Sequence, residues 1–144
     1  MYIQQSIQPK VDQLLQTDHP NMGDALGIEF THFARDRVEA TMPVDHNTIQ
    51  PFGILHGGAS VALAETLASI GAWLTLDDDS KMAVGVEINA NHLRPVPMGK
   101  KVKATATPIK RGKKIHVWET KIYTETDKLV CVSRCTLAVV GSKK

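Results

Sequence analysis

Apolar positions recur with two different periods along this chain, and the switch between them predicts its elements. Across Lys10–Gln16, Val11, Leu14 and Leu15 keep helical spacing, and the turn-rich His19-Pro20-Asn21-Met22-Gly23-Asp24 ends such a helix. From Arg37 to Pro43 the period becomes 2, with Val38, Ala40 and Met42 alternating against Arg37, Glu39 and Thr41. Together with Gly27–Ala34, and with Arg35-Asp36 between them, this predicts a β-hairpin. Gly58–Leu76 is apolar almost throughout, which predicts one buried helix of about 19 residues, roughly 28 Å long. Leu63, Leu67, Ile70 and Leu74 form one stripe of it, and Val61, Ala62, Ser69 and Ala72 surround Glu65 on the other side. The acidic Asp77-Asp78-Asp79-Ser80 marks its end.

Period 2 then returns in Met82–Arg94, Lys100–Pro108, Lys114–Thr124 and Leu129–Val140. In the first of these, Met82, Val84, Val86, Ile88 and Ala90 alternate with Gly85, Glu87, Asn89 and Asn91, giving one apolar face. The short connections predict that consecutive strands lie antiparallel and adjacent. Six strands and one buried helix make an α+β fold, an antiparallel sheet wrapped around a long central helix. The expectation is a single domain over residues 1–144, with 1–22 as an N-terminal helix and turn.

Composition narrows the function classes. A formal charge of +2 and 5% aromatic residues argue against a nucleic-acid protein. Met1–Lys10 has neither the basic nor the apolar region of a secretory signal. Ile54–Leu76 is long enough to span a membrane, but His56, Glu65 and its many Gly, Ala and Ser residues make insertion poor. Cys131 and Cys135 lie about 13 Å apart on one face of a strand, too far to bridge or to share a metal. Free thiols suit a reducing cytoplasm.

The candidate chemistry centres on Glu65. No Lys or Arg occurs between Arg37 and Lys81, so this carboxylate has no helix ion pair to explain it. Gly57 and Gly58 stand where the helix starts, and the free N–H groups there can polarise a carbonyl oxygen. Gln50 and His56 lie in the loop leading in, and read alone each is a loop hydrogen-bonding residue. No His-x-x-x-His or Cys-x-x-Cys spacing supports a metal site. Gly58-Ala59-Ser60-Val61-Ala62 comes close to a serine nucleophile elbow, but Ala62 replaces its second glycine and no strand precedes it. Lys100–Lys114 holds seven basic residues and no acid, which suits either plain solvation of a hairpin or a phosphate-rich ligand. Arg94 could add a forked donor.

Two long runs, Gln50-Pro51-Phe52-Gly53-Ile54-Leu55-His56-Gly57-Gly58-Ala59-Ser60 with Ala64-Glu65, and Val84-Gly85-Val86-Glu87-Ile88-Asn89-Ala90-Asn91-His92, resemble the hotdog-fold acyl-CoA thioesterases. The resemblance is to the branch with 1,4-dihydroxy-2-naphthoyl-CoA, Arthrobacter-type 4-hydroxybenzoyl-CoA and phenylacetate-degradation thioesterases, and it covers the chain from about Met22 onward. It implies hydrolysis of an acyl-CoA with an aromatic or medium-length acyl group. Glu65 would be nucleophile or general base, the Gly57 N–H the oxyanion donor, Gln50 and His56 would position the thioester, and Ser69 would orient water or the acyl group. Arg94, Lys113 and Lys114 would contact the coenzyme's phosphates. The resemblance also implies a cytoplasmic homodimer with active sites between subunits, dimers pairing into tetramers, and no cofactor beyond the coenzyme A of the substrate. Three alternatives stay open: a noncatalytic acyl-CoA-binding module, a thioesterase for carrier-protein thioesters, and a hotdog dehydratase using a His and carboxylate pair.

Overall fold

The computed structural model describes residues 1–142. Its centre is the apolar helix α3, Gly57–Leu74, one residue earlier at its start and two shorter at its end than the pattern predicts. Seven strands wrap it: β1 (Tyr2–Ile3), β2 (Glu29–Ala34), β3 (Arg37–Pro43), β4 (Lys81–His92), β5 (Lys101–Arg111), β6 (Ile115–Thr124) and β7 (Leu129–Gly141). In space they run β1-β2-β3-β5-β6-β7-β4, antiparallel except for the parallel pair β1–β2. Two short α-helices, α1 (Gln8–Leu15) and α2 (Met22–Leu26), and a 3-10 turn at Gln5–Ile7 complete the described elements.

Sequence periodicity translates directly into packing for most strands. Val38, Ala40 and Met42 of β3 are buried, as are Val102, Ala104 and Ala106 of β5, and all point toward α3. Leu63, Leu67 and Leu74 meet them from the helix and complete the core. Burial of each Val, Leu or Met among them contributes about 1.5–3 kcal/mol, and of each Ala less. No helix among the described residues is long and apolar enough to cross a membrane.

Four expectations need correction. The sheet has seven strands rather than six, because Tyr2–Ile3 pairs with His32–Phe33. The turn-rich segment after α1 contains α2, capped by Asn21 and Asp24 acting reciprocally and closed by Gly27 at φ 72°. Consecutive strands are not always adjacent: β5 lies between β3 and β6, while β4 crosses to the far edge and pairs only with β7. Finally, β4 does not keep one alternation. A bulge at Val86 shifts its register, because Gly85 faces Leu137 while Glu87 faces Thr136. Before the bulge Met82 and Val84 are exposed and Ala83 packs on the core; after it Ile88 and Ala90 take the inner face.

Candidate active site

The loop before α3 is built to present the helix start. Gln50-Pro51-Phe52-Gly53 is a tight turn, closed by the Gly53 N–H donating to the Gln50 carbonyl at 3.0 Å, with Gly53 at φ 79°. The Gln50 side-chain oxygen accepts from the Phe52 N–H, which leaves its amide NH2 free to donate. His56 is the helix N-cap: its Nδ1 accepts from the Gly58 N–H at 2.7 Å, so its proton resides on Nε2. The Ala59 and Ser60 N–H groups are taken by the His56 carbonyl. Among the described residues the Gly57 N–H makes no hydrogen bond. It is therefore the unused donor at the positive end of an 18-residue helix.

Beside this donor lies a cavity of about 350 Å³ lined by Gln50, Gly57, Ser60, His92 and Arg94. His92, the last residue of β4, packs so closely on Gly57 that a Cβ there would lie 2.8 Å from its Nε2. His92 is the residue that the sequence reading missed as a member of the site. Its signal was present, since it ends the second run that carries the family resemblance.

Glu65 lies farther along the helix, half-buried, with Ser69 one turn beyond it and also half-buried. Among the described residues no salt bridge includes Glu65. Its carboxylate sits over β4 at Gly85. Its charge is also felt by the Cys135 thiol, which burial, then Glu65 and Glu87, push up to about 11. Cys131 and Cys135 are both buried and free.

Gly57 and Glu65 of one chain are eight residues apart on one helix, about 12 Å at 1.5 Å per residue. A single thioester carbonyl cannot touch both. The basic residues are likewise divided. Arg94 lines the cavity at Gly57, whereas Lys113 lines one of about 700 Å³ at the other end of α3, with Arg35, Asp77, Lys81, Arg111 and buried His116. Lys114 is exposed beside it. The basic stretch Lys100–Lys114 is thus no single patch, for β5 separates its two ends, and Lys103 is paired with Asp127.

Comparisons with known proteins agree on one family. Its sequence pattern, described as "Thioesterase superfamily", matches residues 52–131. A solved thioesterase from Haemophilus influenzae superposes with a TM-score of 0.82 at 53% identity, covering 92% of this chain and 90% of that one. The 1,4-dihydroxy-2-naphthoyl-CoA hydrolase of Escherichia coli is 46% identical over 120 residues, 83% of this chain and 87% of the relative. The proofreading thioesterase EntH of Cronobacter turicensis is 45% identical over 131 residues, 91% of this chain and 94% of its own. By family pattern, relatives and fold, the chain belongs to the thioesterase superfamily, the hotdog-fold enzymes that hydrolyse thioester bonds.

Proposed function

We propose that the protein hydrolyses an acyl-CoA, with an aromatic or medium-length acyl group, to the free acid and coenzyme A. The observation that carries this reading is the Glu65 carboxylate, half-buried and without a cation among the described residues, on a wall of small side chains. No ion pair accounts for a carboxylate so placed, which makes it a candidate for chemistry. Glu65 either attacks the thioester carbonyl, forming an anhydride that water then cleaves, or takes the proton of an attacking water. The Gly57 N–H donates to the oxyanion in both routes. The leaving group is a thiolate, a far weaker base than an alkoxide, so it departs without a strong general acid. Gln50, His56 and Ser69 are assigned to orienting the thioester and water.

The 12 Å between Gly57 and Glu65 is bridged in this reading by a second copy of the chain. β4 is a 12-residue edge strand with one side unpaired, and Val86 on it is 63% exposed. Such an edge favours pairing with another strand. Gly57 packs on His92 at one end of β4, and Glu65 lies on Gly85 toward the other. Antiparallel pairing of two β4 strands reverses one of them, so Glu65 of one copy meets Gly57 of the other, and Lys113 and Lys114 of the first join Arg94 of the second around the coenzyme's phosphates. Met82 and Val140, cross-strand neighbours that are both exposed, would be covered if such dimers pair into tetramers. The free buried thiols suit the cytoplasm. Coenzyme A enters and leaves as part of the substrate, and the reaction draws on no other cofactor.

The test is thiol release by the purified protein from aromatic and straight-chain acyl-CoAs, with Glu65→Ala alongside. Release by the wild type, lost by about 1000-fold or more in a folded Glu65→Ala, is the expected result. Stoichiometric binding of acyl-CoA without turnover would instead make the protein a binding module, and turnover only of carrier-bound thioesters would move the substrate to a carrier protein.

A further inference from the structure

Gly85 is a glycine in the interior of a long strand, where glycine is a weak choice. Backbone conformation does not require it, for its φ lies outside the left-handed region. Space does. A Cβ built on Gly85 would lie 2.5 Å from Glu65 Oε1 and 3.5 Å from its Cδ, and the nearest atoms all belong to Glu65. The bulge next to it decides which residue stands there. Ile88 and Ala90 face the core, and counting back from them in period 2 would turn Val86 inward beneath Glu65. The extra residue turns Val86 outward and brings Gly85 in.

We infer that Gly85, together with the bulge at Val86, forms a notch that seats the Glu65 carboxylate against edge strand β4, and that Gly85 is a positioning residue for thioester hydrolysis. This rests on the reading of Glu65 as the reacting carboxylate. A glutamate on a helix has three rotatable bonds and, without an ion pair, nothing charged to hold it. The notch lets the carboxylate lie against the strand backbone at the edge where a second copy would pair. Any side chain at 85 would push it off that place while leaving the cavity at Gly57 untouched.

The test is Gly85→Ala, assayed by thiol release from an acyl-CoA that the wild type turns over. A displacement of about 1 Å in a reacting group can cost about 100-fold, so kcat should fall by about that factor with KM within about threefold. The deciding variant is Glu65→Asp, whose carboxylate is one methylene shorter. Alone it should lower kcat; in the Gly85→Ala background it should raise kcat at least about tenfold, a reversal of sign that general damage to the strand would not produce. Wild-type kcat in Gly85→Ala, or no recovery with Glu65→Asp, overturns the inference. If Gly85→Ala does not fold, Gly85→Ala/Glu65→Ala decides: recovered folding locates the clash at the carboxylate, and continued failure overturns the inference. An active Glu65→Ala would sink the catalytic reading itself, whereas an inactive Glu65→Ala beside a fully active Gly85→Ala sinks the notch alone.

Discussion

His92 and Gly57 are in contact at the mouth of the site: the ring's Nε2 occupies the space 2.8 Å from where a Cβ on Gly57 would stand. The first residue of α3 is thereby held against the last residue of β4, and its N–H stays open to a ligand. Gly57→Ala should displace the ring and narrow the approach to this donor. We expect kcat/KM to fall at least about tenfold. Folding stability should move by no more than about 1 kcal/mol, since the exposed His92 ring can swing aside and the propensity difference at the first helical position is smaller than in a helix interior. Thiol-release kinetics and thermal unfolding of the same variant separate the two effects.

Gly71 presents the same geometry with a structural outcome. A Cβ there would lie 2.6 Å from the ring of Trp118, which is fully buried between β6 and α3. Helix propensity alone makes Gly71→Ala favourable by about 1 kcal/mol. Overpacking against an immobile indole costs about 1–3 kcal/mol, so the variant should be destabilised by about 1 kcal/mol net. The urea midpoint should drop with the m-value unchanged, and an increased midpoint would mean the ring has room to move.

Ser133 carries the one buried side-chain oxygen without a hydrogen-bond partner among the described residues. It sits on β7 between Ala90 and Thr120 of the neighbouring strands. A hydroxyl that is desolvated and unpaired opposes folding, so Ser133→Ala should be neutral or stabilising by up to about 1 kcal/mol. Chemical denaturation that shows a loss above about 1 kcal/mol would reveal a partner for this oxygen.

His116, 3% exposed, accepts from the Trp118 Nε1–H at Nδ1, 3.3 Å away. Burial first, and the Arg111 charge second, hold its pKa below the usual imidazole value. In the unfolded chain it takes up a proton near pH 6.5, while in the folded chain it does so only at lower pH. Below about pH 6.5 the unfolded state therefore binds more protons, and stability falls with acidification until the folded-state pKa is passed. His116→Gln, which can still accept from Trp118, should flatten the part of the melting-temperature profile just below about pH 6.5 relative to wild type.

Sequence pattern made the central helix and strands β3 and β5–β7 legible because in each the burial follows a fixed period over many residues. Trp118, Thr120 and Ile122 on β6, or Cys131, Ser133 and Cys135 on β7, alternate as cleanly in space as in the chain. What stayed hidden depends on other parts of the molecule. β1 has two residues and exists only because β2 is there to pair with it. The insertion of β5 between β3 and β6 is a contact between distant segments, which connection length does not report. The bulge at Val86 interrupts a run that reads as uninterrupted alternation, and so hid the role of Gly85. Glu65 and Gly57 stood out through the absence of a base and the presence of glycines, and because the pattern already set both on one helix, their separation of about 12 Å was legible as well.

Lys10 on α1 donates to the Trp73 and Leu76 carbonyls at the far end of α3, and its ammonium stands 5.1 Å from the centre of the Trp73 ring. The Trp73 carbonyl, which also accepts from the Leu76 N–H, belongs to the last turn of the helix, and the Leu76 carbonyl lies just beyond it, both at the helix's negative pole. A segment made more than sixty residues earlier thus acts as the stopper of the central helix. The opening residues of the chain and the last turn behind Ser69 must loosen or hold together, so amide exchange in that turn should report the docking of α1 rather than the strength of the helix itself.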